Sequence, residues 1–274
     1  MRDITLGQYF PGNSILHRLD PRAKIILSVL YIAAVFVAKS VSAFVFMVAV
    51  SLLLMALSGI PYRIFAKGLR PILYIVIFTT FINIFLTSGD DLIFKWWIFK
   101  IYREGIVNAV LMVLRVTLLV SGSGLFLTYT TSPITLTDGL EQLLAPLKHL
   151  KLPVHEFSMM MTIALRFIPT LVEETDKIMN AQKARGADFS SGSLVDRAKA
   201  LVPILVPLFV SAFKRADELA VAMECRCYRG DEGRTRMNVL KFSFGDAFAM
   251  ALGAAAVVLI VLLNKYAPVI SLVR

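Results

Sequence analysis

Cysteine and charge are scarce in this chain. It has two cysteines in 274 residues, Cys225 and Cys227, one residue apart. A Cys-x-Cys pair with no second pair elsewhere builds neither a disulfide framework nor a four-ligand zinc site. The three histidines, His17, His149 and His155, are too scattered to complete one. The expectation is two free thiols in a reducing compartment and no metal. Charged residues make up only 18% of the chain. It has no G-x-x-x-x-G-K-[ST], so no P-loop to hold ATP phosphates, and neither H-E-x-x-H nor G-x-S-x-G. The paired acids Glu173–Glu174 and Asp217–Glu218 sit beside Lys and Arg in helical patches. They read as solvated faces rather than acid–base pairs. The first fourteen residues lack the apolar run of a signal peptide. No cofactor is expected to bind this chain itself.

What the chain has in excess is apolar surface. Hydrophobic residues reach 57% and the mean hydropathy is +0.73, against an apolar share of about 45–50% in soluble domains. The fold class that follows is an all-α polytopic membrane protein. Five stretches approach the ~20 residues that cross a bilayer: Lys24–Lys39, Val41–Gly59, Pro71–Thr87, Gly105–Thr128 and Phe242–Asn264. Packing between them is expected to use small residues, such as Gly122, Gly124 and the Ala-Leu-Gly-Ala-Ala-Ala run of the last stretch. Arg115 and Asn83 lie within apolar stretches, where a polar side chain is either functional or a helix–helix hydrogen bond. The net charge of +10 could signal nucleic acid. The bases are dispersed, however, and fit cytoplasmic loops of a membrane protein. The bilayer is therefore the expected partner, and nucleic acid is not.

Loop charge sets an expected orientation. Arg2, Arg18, Arg22 and Lys24 precede the first stretch, and Arg63, Lys67 and Arg70 follow the second. Lys39 stands alone between the first two. Lys95, Lys100 and Arg103 are balanced by Asp90, Asp91 and Glu104 between the third and fourth. The N-terminus is expected inside, with residues 129–241 also inside and the C-terminus outside. Three regions result: residues 1–128 as a four-span bundle, 129–241 as a cytoplasmic coupling region, and 242–274 as a final span.

The middle region reads as three helices. A short one is expected to start at Asp138, with Glu141 completing a capping box. A second runs from Val154 to Arg185. A third runs from Leu194 to Cys227, with Ser193 and Asp196 as its start signal. Residues 186–193 form the breaker between them. Pro169, Pro203 and Pro207 fall inside the two long helices and are candidate hinges. These helices are expected at the inner membrane boundary, with a pair of additional spans as the alternative.

The two long helices end alike. Aligning Asp176 with Asp217 brings Ala181 onto Ala222, Arg185 onto Arg226 and Gly186 onto Cys227 without a gap. Ile168, Leu171, Val172, Thr175, Ile178 and Met179 form one apolar stripe. Phe213, Ala216, Ala220, Met223 and Cys227 form another. Arg185 and Arg226 lie off these stripes. Their neighbours Ala184, Gly186, Cys225 and Cys227 are small, so a second surface can approach the backbone. A five-donor guanidinium suits a carboxylate- or carbonyl-lined pocket on a partner. The plainer reading is a base complementing the negative end of a helix dipole, with Gly186 as a C-cap.

Tyr9–Ile25, Thr130–Leu150, Leu165–Gly186 and Arg215–Gly230 together resemble the transmembrane T component of energy-coupling factor (ECF) transporters, the family that includes cobalt-transport permeases. The resemblance covers nearly the whole chain. It implies two ATP-binding cassette ATPase subunits as partners, which hold the ATP. It also implies a small substrate-binding membrane protein, the S component, which captures a vitamin or metal ion. Ala184, Arg185 and Gly186 match the family's first ATPase-docking motif, and Cys225, Arg226 and Cys227 match the second. The second departs from the family pattern by placing cysteine on both sides of its arginine, which puts any need for glycine's freedom at Cys227 in question. The resemblance implies a non-catalytic coupling subunit in a prokaryotic cell membrane. The alternatives are an importer permease with its own substrate path and an integral membrane enzyme.

Overall fold

The computed structural model describes residues 9–86, 92–96, 99–150, 153–189, 193–230 and 240–266. Arg2, Asp90, Asp91, part of the breaker (190–192), and the side chains of Lys67, Lys95, Lys100 and Glu104 lie outside the described residues. The chain forms α1 (Ile15–Arg18), α2 (Pro21–Val37), α3 (Val41–Ser58) and α4 (Tyr62–Leu86), followed by β1 (Leu92–Trp96) and β2 (Phe99–Tyr102). Then come α5 (Arg103–Ser123), α6 (Pro133–Leu144), α7 (Val154–Ala184), α8 (Leu194–Cys225) and α9 (Phe244–Tyr266). A π-helical turn, Gly124–Tyr129, continues α5. The all-α class holds, with one short antiparallel hairpin added where the sequence led us to expect a charged loop. Its strands are rich in aromatic and β-branched residues, and Trp96 pairs with Phe99.

Helix starts follow local capping chemistry. Asp20 Oδ1 accepts the Arg22 N–H at 2.8 Å and Pro21 occupies the first turn of α2. Ser40 Oγ accepts the Ala43 N–H at 3.2 Å to start α3, and Gly59 at φ 66° ends it. The short helix expected at Asp138 instead begins at Pro133, so Asp138 lies within it. Ser132 supplies the cap, its Oγ accepting the Thr135 N–H at 3.3 Å, and proline presets the first turn.

The described residues fall into two compact units. One comprises the residues up to Leu143 together with those from Leu240 on; the other begins at Leu144 and includes α7 and α8. In the first unit, four helical segments are long and apolar enough to cross a membrane: Val41–Ser58, Gly68–Phe85, Gly105–Tyr129 and Phe244–Tyr266. The sequence led us to expect five. The fifth, α2, has 17 residues, about 26 Å at 1.5 Å per residue, against a hydrocarbon core of ~30 Å. Its C-terminal end is fixed by other helices. Asn264 of α9 accepts the Lys39 and Ser40 N–H groups, both at 3.1 Å, and donates to Val37 O at 2.7 Å.

Helix α2 packs one face into this unit. Its Leu27, Tyr31, Ala34 and Val35 are buried with Phe44 and Met47 of α3, Leu118 of α5, Phe126 of the π turn and Ile260 of α9. The opposite face of α2 is apolar as well and stays open, with Val29 and Phe36 61% and 60% exposed. Close approach depends on glycine where expected. Gly122 lies against the Tyr31 ring with no room for a Cβ, and a Cβ on Gly253 would come within 2.7 Å of Leu27 Cδ2. Gly124 serves its own π turn, facing Tyr129. The Tyr31 hydroxyl bonds Ser51 Oγ at 2.6 Å and donates to Leu118 O at 3.2 Å, so the buried phenol is satisfied. Arg115 makes a hydrogen bond between helices, and Asn83 makes one only within α4. Arg115 Nη2 donates to Ala38 O at 3.1 Å and its guanidinium lies over Phe44, while Asn83 Nδ2 donates to Thr79 O at 2.8 Å in its own helix.

Candidate functional site

The ends of α7 and α8 have the same backbone geometry. Arg185 closes α7 at φ −85°, ψ 4°, and Arg226 closes α8 at φ −92°, ψ 12°. Gly186 follows at φ 88° and Cys227 at φ 57°, both in the left-handed region. At the first end, Ala187 N–H donates to Gln182 O and Gly186 N–H to Lys183 O, both at 3.0 Å. At the second, Tyr228 N–H donates to Met223 O at 3.1 Å and Cys227 N–H to Glu224 O at 2.8 Å. These are two Schellman motifs in register. Cysteine therefore adopts the conformation that glycine adopts at the equivalent position. Among the described residues Cys227 is the one non-glycine with positive φ.

Ala184, Arg185, Gly186, Cys225, Arg226 and Cys227 are all exposed. The two thiols are free. Among the described residues neither arginine makes a hydrogen bond or ion pair through its guanidinium. Each motif therefore presents an unspent cation at a sharp chain reversal, flanked by small side chains.

Polar contacts among the described residues pair α7 with α8. Glu174 accepts from Ser211 Oγ at 2.5 Å and from Arg215 Nη2 at 2.8 Å. The Ser211 hydrogen bond and then the Arg215 charge hold the Glu174 carboxyl below its ordinary range. Gln182 Nε2 donates to Pro203 O at 3.4 Å. Pro207 explains that last contact: having no N–H, it leaves the Pro203 carbonyl without its i+4 donor, and a side chain of α7 supplies one. Deeper along the pair, Ile163, Phe167 and Leu171 of α7 face Ala212, Ala216, Leu219, Ala220 and Met223 of α8 across a cleft of about 240 Å³. Residues rise along α7 as they fall along α8, so the helices run antiparallel. Arg185 and Arg226 consequently project from opposite ends of the pair, about 40 Å apart along its axis at 1.5 Å per residue.

The prolines expected as hinges lie inside unbroken helices, Pro169 in α7, and Pro203 and Pro207 in α8. The start of α8 is as expected: Ser193 Oγ accepts the Asp196 N–H at 3.3 Å and Asp196 Oδ2 accepts the Ser193 N–H at 3.2 Å. The Ser193 hydroxyl, which donates to Asp196 Oδ2 at 2.7 Å, and then the Ser193 N–H hold the Asp196 carboxyl below its usual range. The apolar stripe read on α8 is partly displaced. Ala216, Ala220 and Met223 face α7, but Phe213 is 74% exposed. It belongs to a second, unpartnered face with Val202, Val206, Phe209 and Val210. Glu174, read from the sequence as part of a solvated face, instead bonds across to α8; Ser211, Arg215 and Gln182 were not singled out from sequence. The signal was there in part, since Glu174 and Arg215 lie 41 residues apart, the same offset that relates the two arginines. No group of three or more His, Cys, Asp or Glu able to hold a metal occurs among the described residues.

Comparison with known proteins fits this architecture. Residues 12–237 match the family described as cobalt transport protein. The chain belongs to this family. A Clostridium kluyveri protein named energy-coupling factor transporter transmembrane protein is 53% identical over 266 residues, covering 97% of this chain and 98% of the relative. The Bacillus subtilis protein of the same name is 51% identical over 246 residues, covering 90% and 92%. The Lactococcus lactis one is 43% identical over 265 residues, covering 97% and 99%. Membership thus spans both units and includes both arginine-tipped helix ends.

Proposed function

We propose that this chain is the coupling subunit of an ECF-type importer, itself non-catalytic. Two ABC-type ATPase subunits bind and hydrolyse the ATP, and a separate S component captures the vitamin or metal ion. The observation that carries this reading is the pair of matched helix ends. Two exposed, unpartnered arginines sit at identical backbone positions, at opposite ends of one antiparallel pair. A single helix-dipole role does not call for that match; two equivalent sockets on a pair of related ATPases do. A guanidinium enters each socket and forms charge-assisted, bidentate bonds. The Glu174–Arg215–Ser211 contacts make the two helices move as a body. Pro169, Pro203 and Pro207 are the points at which that body flexes. The unpartnered apolar face of α8, from Val202 to Phe213, then receives the S component or the lipid beside it. The N-terminus is cytoplasmic, as is the α7–α8 pair, in a prokaryotic cell membrane.

Co-purification from mild detergent tests the reading. Removing one buried interfacial arginine typically costs about 2 kcal/mol or more, or ~30-fold in affinity. Arg185→Ala or Arg226→Ala alone should therefore weaken ATPase retention, and Arg185→Glu with Arg226→Glu should abolish it. Wild-type retention of both ATPases by the double variant, with transport intact, rules the docking role out.

A further inference from the structure

Among the described residues, helix α4 packs inward with one face. At about 100° per residue, Phe65, Ile72, Val76, Thr79 and Asn83 fall on one side of it. Phe65 is buried, its ring edge-on to Tyr129 with 5.0 Å between centroids. Further along, the Asn83 carbonyl would lie 3.1 Å from a Cβ on Gly105 of α5. The opposite side carries Arg63, Arg70, Tyr74, Ile77 and Phe81, the last four within about 40° of Arg63. All five are exposed, Tyr74 by 78%. No residue of the span Gly68–Phe85 is buried.

The order along this open face has a physical reading. Phe65 meets Tyr129, which ends the span Gly105–Tyr129. The first turns of α4 are therefore level with the end of a neighbouring span, and Arg63 stands at the membrane boundary. Arg70 stands two residues inside the apolar run, ~3 Å at 1.5 Å per residue. Side chains on a helix lean toward its N-terminus, so a guanidinium at 70 reaches back to headgroup level. Tyr74 follows one turn deeper, then Ile77 and Phe81. Two cations, a phenol and hydrocarbon repeat the layers of one leaflet: phosphate, interface, acyl chain. Among the described residues neither Arg63 nor Arg70 pairs with an acid. A protein helix on this face would have to bring carboxylates to the level of the arginines. A lipid supplies the anion and the chain in one molecule, in that order.

We propose that this face of α4 is a binding site for one anionic phospholipid, with its phosphate at the level of Arg63 and Arg70, its ester region beside Tyr74 and an acyl chain along Ile77 and Phe81. The site lies wholly within the first unit and does not depend on the coupling role. Guanidinium suits phosphate because its fork donates two N–H bonds at once. Each arginine near a membrane surface strengthens the hold on an anionic lipid about fivefold, so the two together supply ~30-fold.

The test titrates the full-length chain, delipidated in mild detergent, with phosphatidylglycerol and separately with phosphatidylcholine of identical acyl chains. Native mass spectrometry counts the lipids bound. The wild type is expected to take its first phosphatidylglycerol ~30-fold more tightly than phosphatidylcholine. Arg63→Gln with Arg70→Gln should bring the two lipids within about threefold, through weaker binding of phosphatidylglycerol alone. Each single change should cost about fivefold, and the single variants carry the test if the double one does not purify. Arg18→Gln, which removes an exposed cation of α1, should leave the preference unchanged. Phosphatidylglycerol with a photoreactive acyl chain should label α4 between Tyr74 and Phe81. No preference in the wild type, a preference that survives the loss of both arginines, an equal loss in Arg18→Gln, or labelling elsewhere overturns the site. Loss of the α4 label when the chain is purified with partner proteins also overturns it, by assigning the face to a protein.

Discussion

Cys227 offers a direct measure of how the end of α8 is built. A non-glycine residue held at φ 57° carries a left-handed penalty of about 1–2 kcal/mol. Cys227→Gly removes that penalty but gives the unfolded chain about 0.5–1 kcal/mol of extra backbone entropy. The net gain is about 0.5–1 kcal/mol. The first end supplies the reciprocal. Gly186 lies at φ 88° with nothing within 4 Å of the position a Cβ would take. Gly186→Ala therefore adds the penalty without a clash and should lose a similar amount. The reporters are the amides that close each turn, Tyr228 and Cys227 at one end and Ala187 and Gly186 at the other. At ~1.4 kcal/mol per tenfold, exchange should slow by about two- to fivefold in Cys227→Gly and quicken by a similar factor in Gly186→Ala. Cys227→Ala, which keeps a Cβ, should match the wild type. Faster exchange in Cys227→Gly, or unchanged exchange in Gly186→Ala, would refute the claim that the two ends share one backbone geometry.

Other consequences are equally specific. Gly122→Ala forces a methyl into the Tyr31 ring and should destabilise the bundle by about 1–3 kcal/mol, read as a fall in detergent melting temperature; adding Tyr31→Leu should restore part of it. Asn264→Ala strips partners from the Lys39 and Ser40 N–H groups and the Val37 carbonyl. It should cost about 1–3 kcal/mol, visible as faster exchange at residues 39 and 40. The Glu174 clamp has a defined pH dependence. Its carboxyl is held below the ordinary carboxylate value of 4.5, so its contribution is fully present above pH 4.5 and is lost as pH falls through the lower, folded-state value. Protection of amides around Ser211 should be flat from neutral pH to about pH 5 and decline only below that, and Glu174→Gln should abolish the acid-dependent step.

The features legible in the sequence were local ones. The capping signals at Ser193 and Asp196, the proline and glycine punctuation, and the bilayer-length runs depend on residues near one another, and the structure places most of them where expected. The repeat around Arg185 and Arg226 was legible because its two copies align without a gap. What was not legible depends on distance in sequence. Asp246 meets Asp20 across 226 residues, and Gln182 finds the Pro203 carbonyl only because Pro207 has vacated it. Neither pairing leaves a periodic trace. The shortness of α2 was legible in its brief apolar run, but what fixes its end was not, because Asn264 and Arg115 reach in from α9 and α5. Cys227 was hidden because cysteine has no preference for positive φ. The aligned glycine was the only hint that the chain would turn there.

The central claim is that Arg185 and Arg226 each sit in a socket on an ATPase. A photo-crosslinking amino acid placed at position 185 or 226 in the assembled complex tests it most directly, with the crosslinked partner identified by mass spectrometry. The account predicts that each position captures an ATPase subunit, and that a probe at Phe213, on the other face of α8, does not. Crosslinks from both arginine positions to lipid or to the S component alone, with the ATPases present and intact, would contradict it.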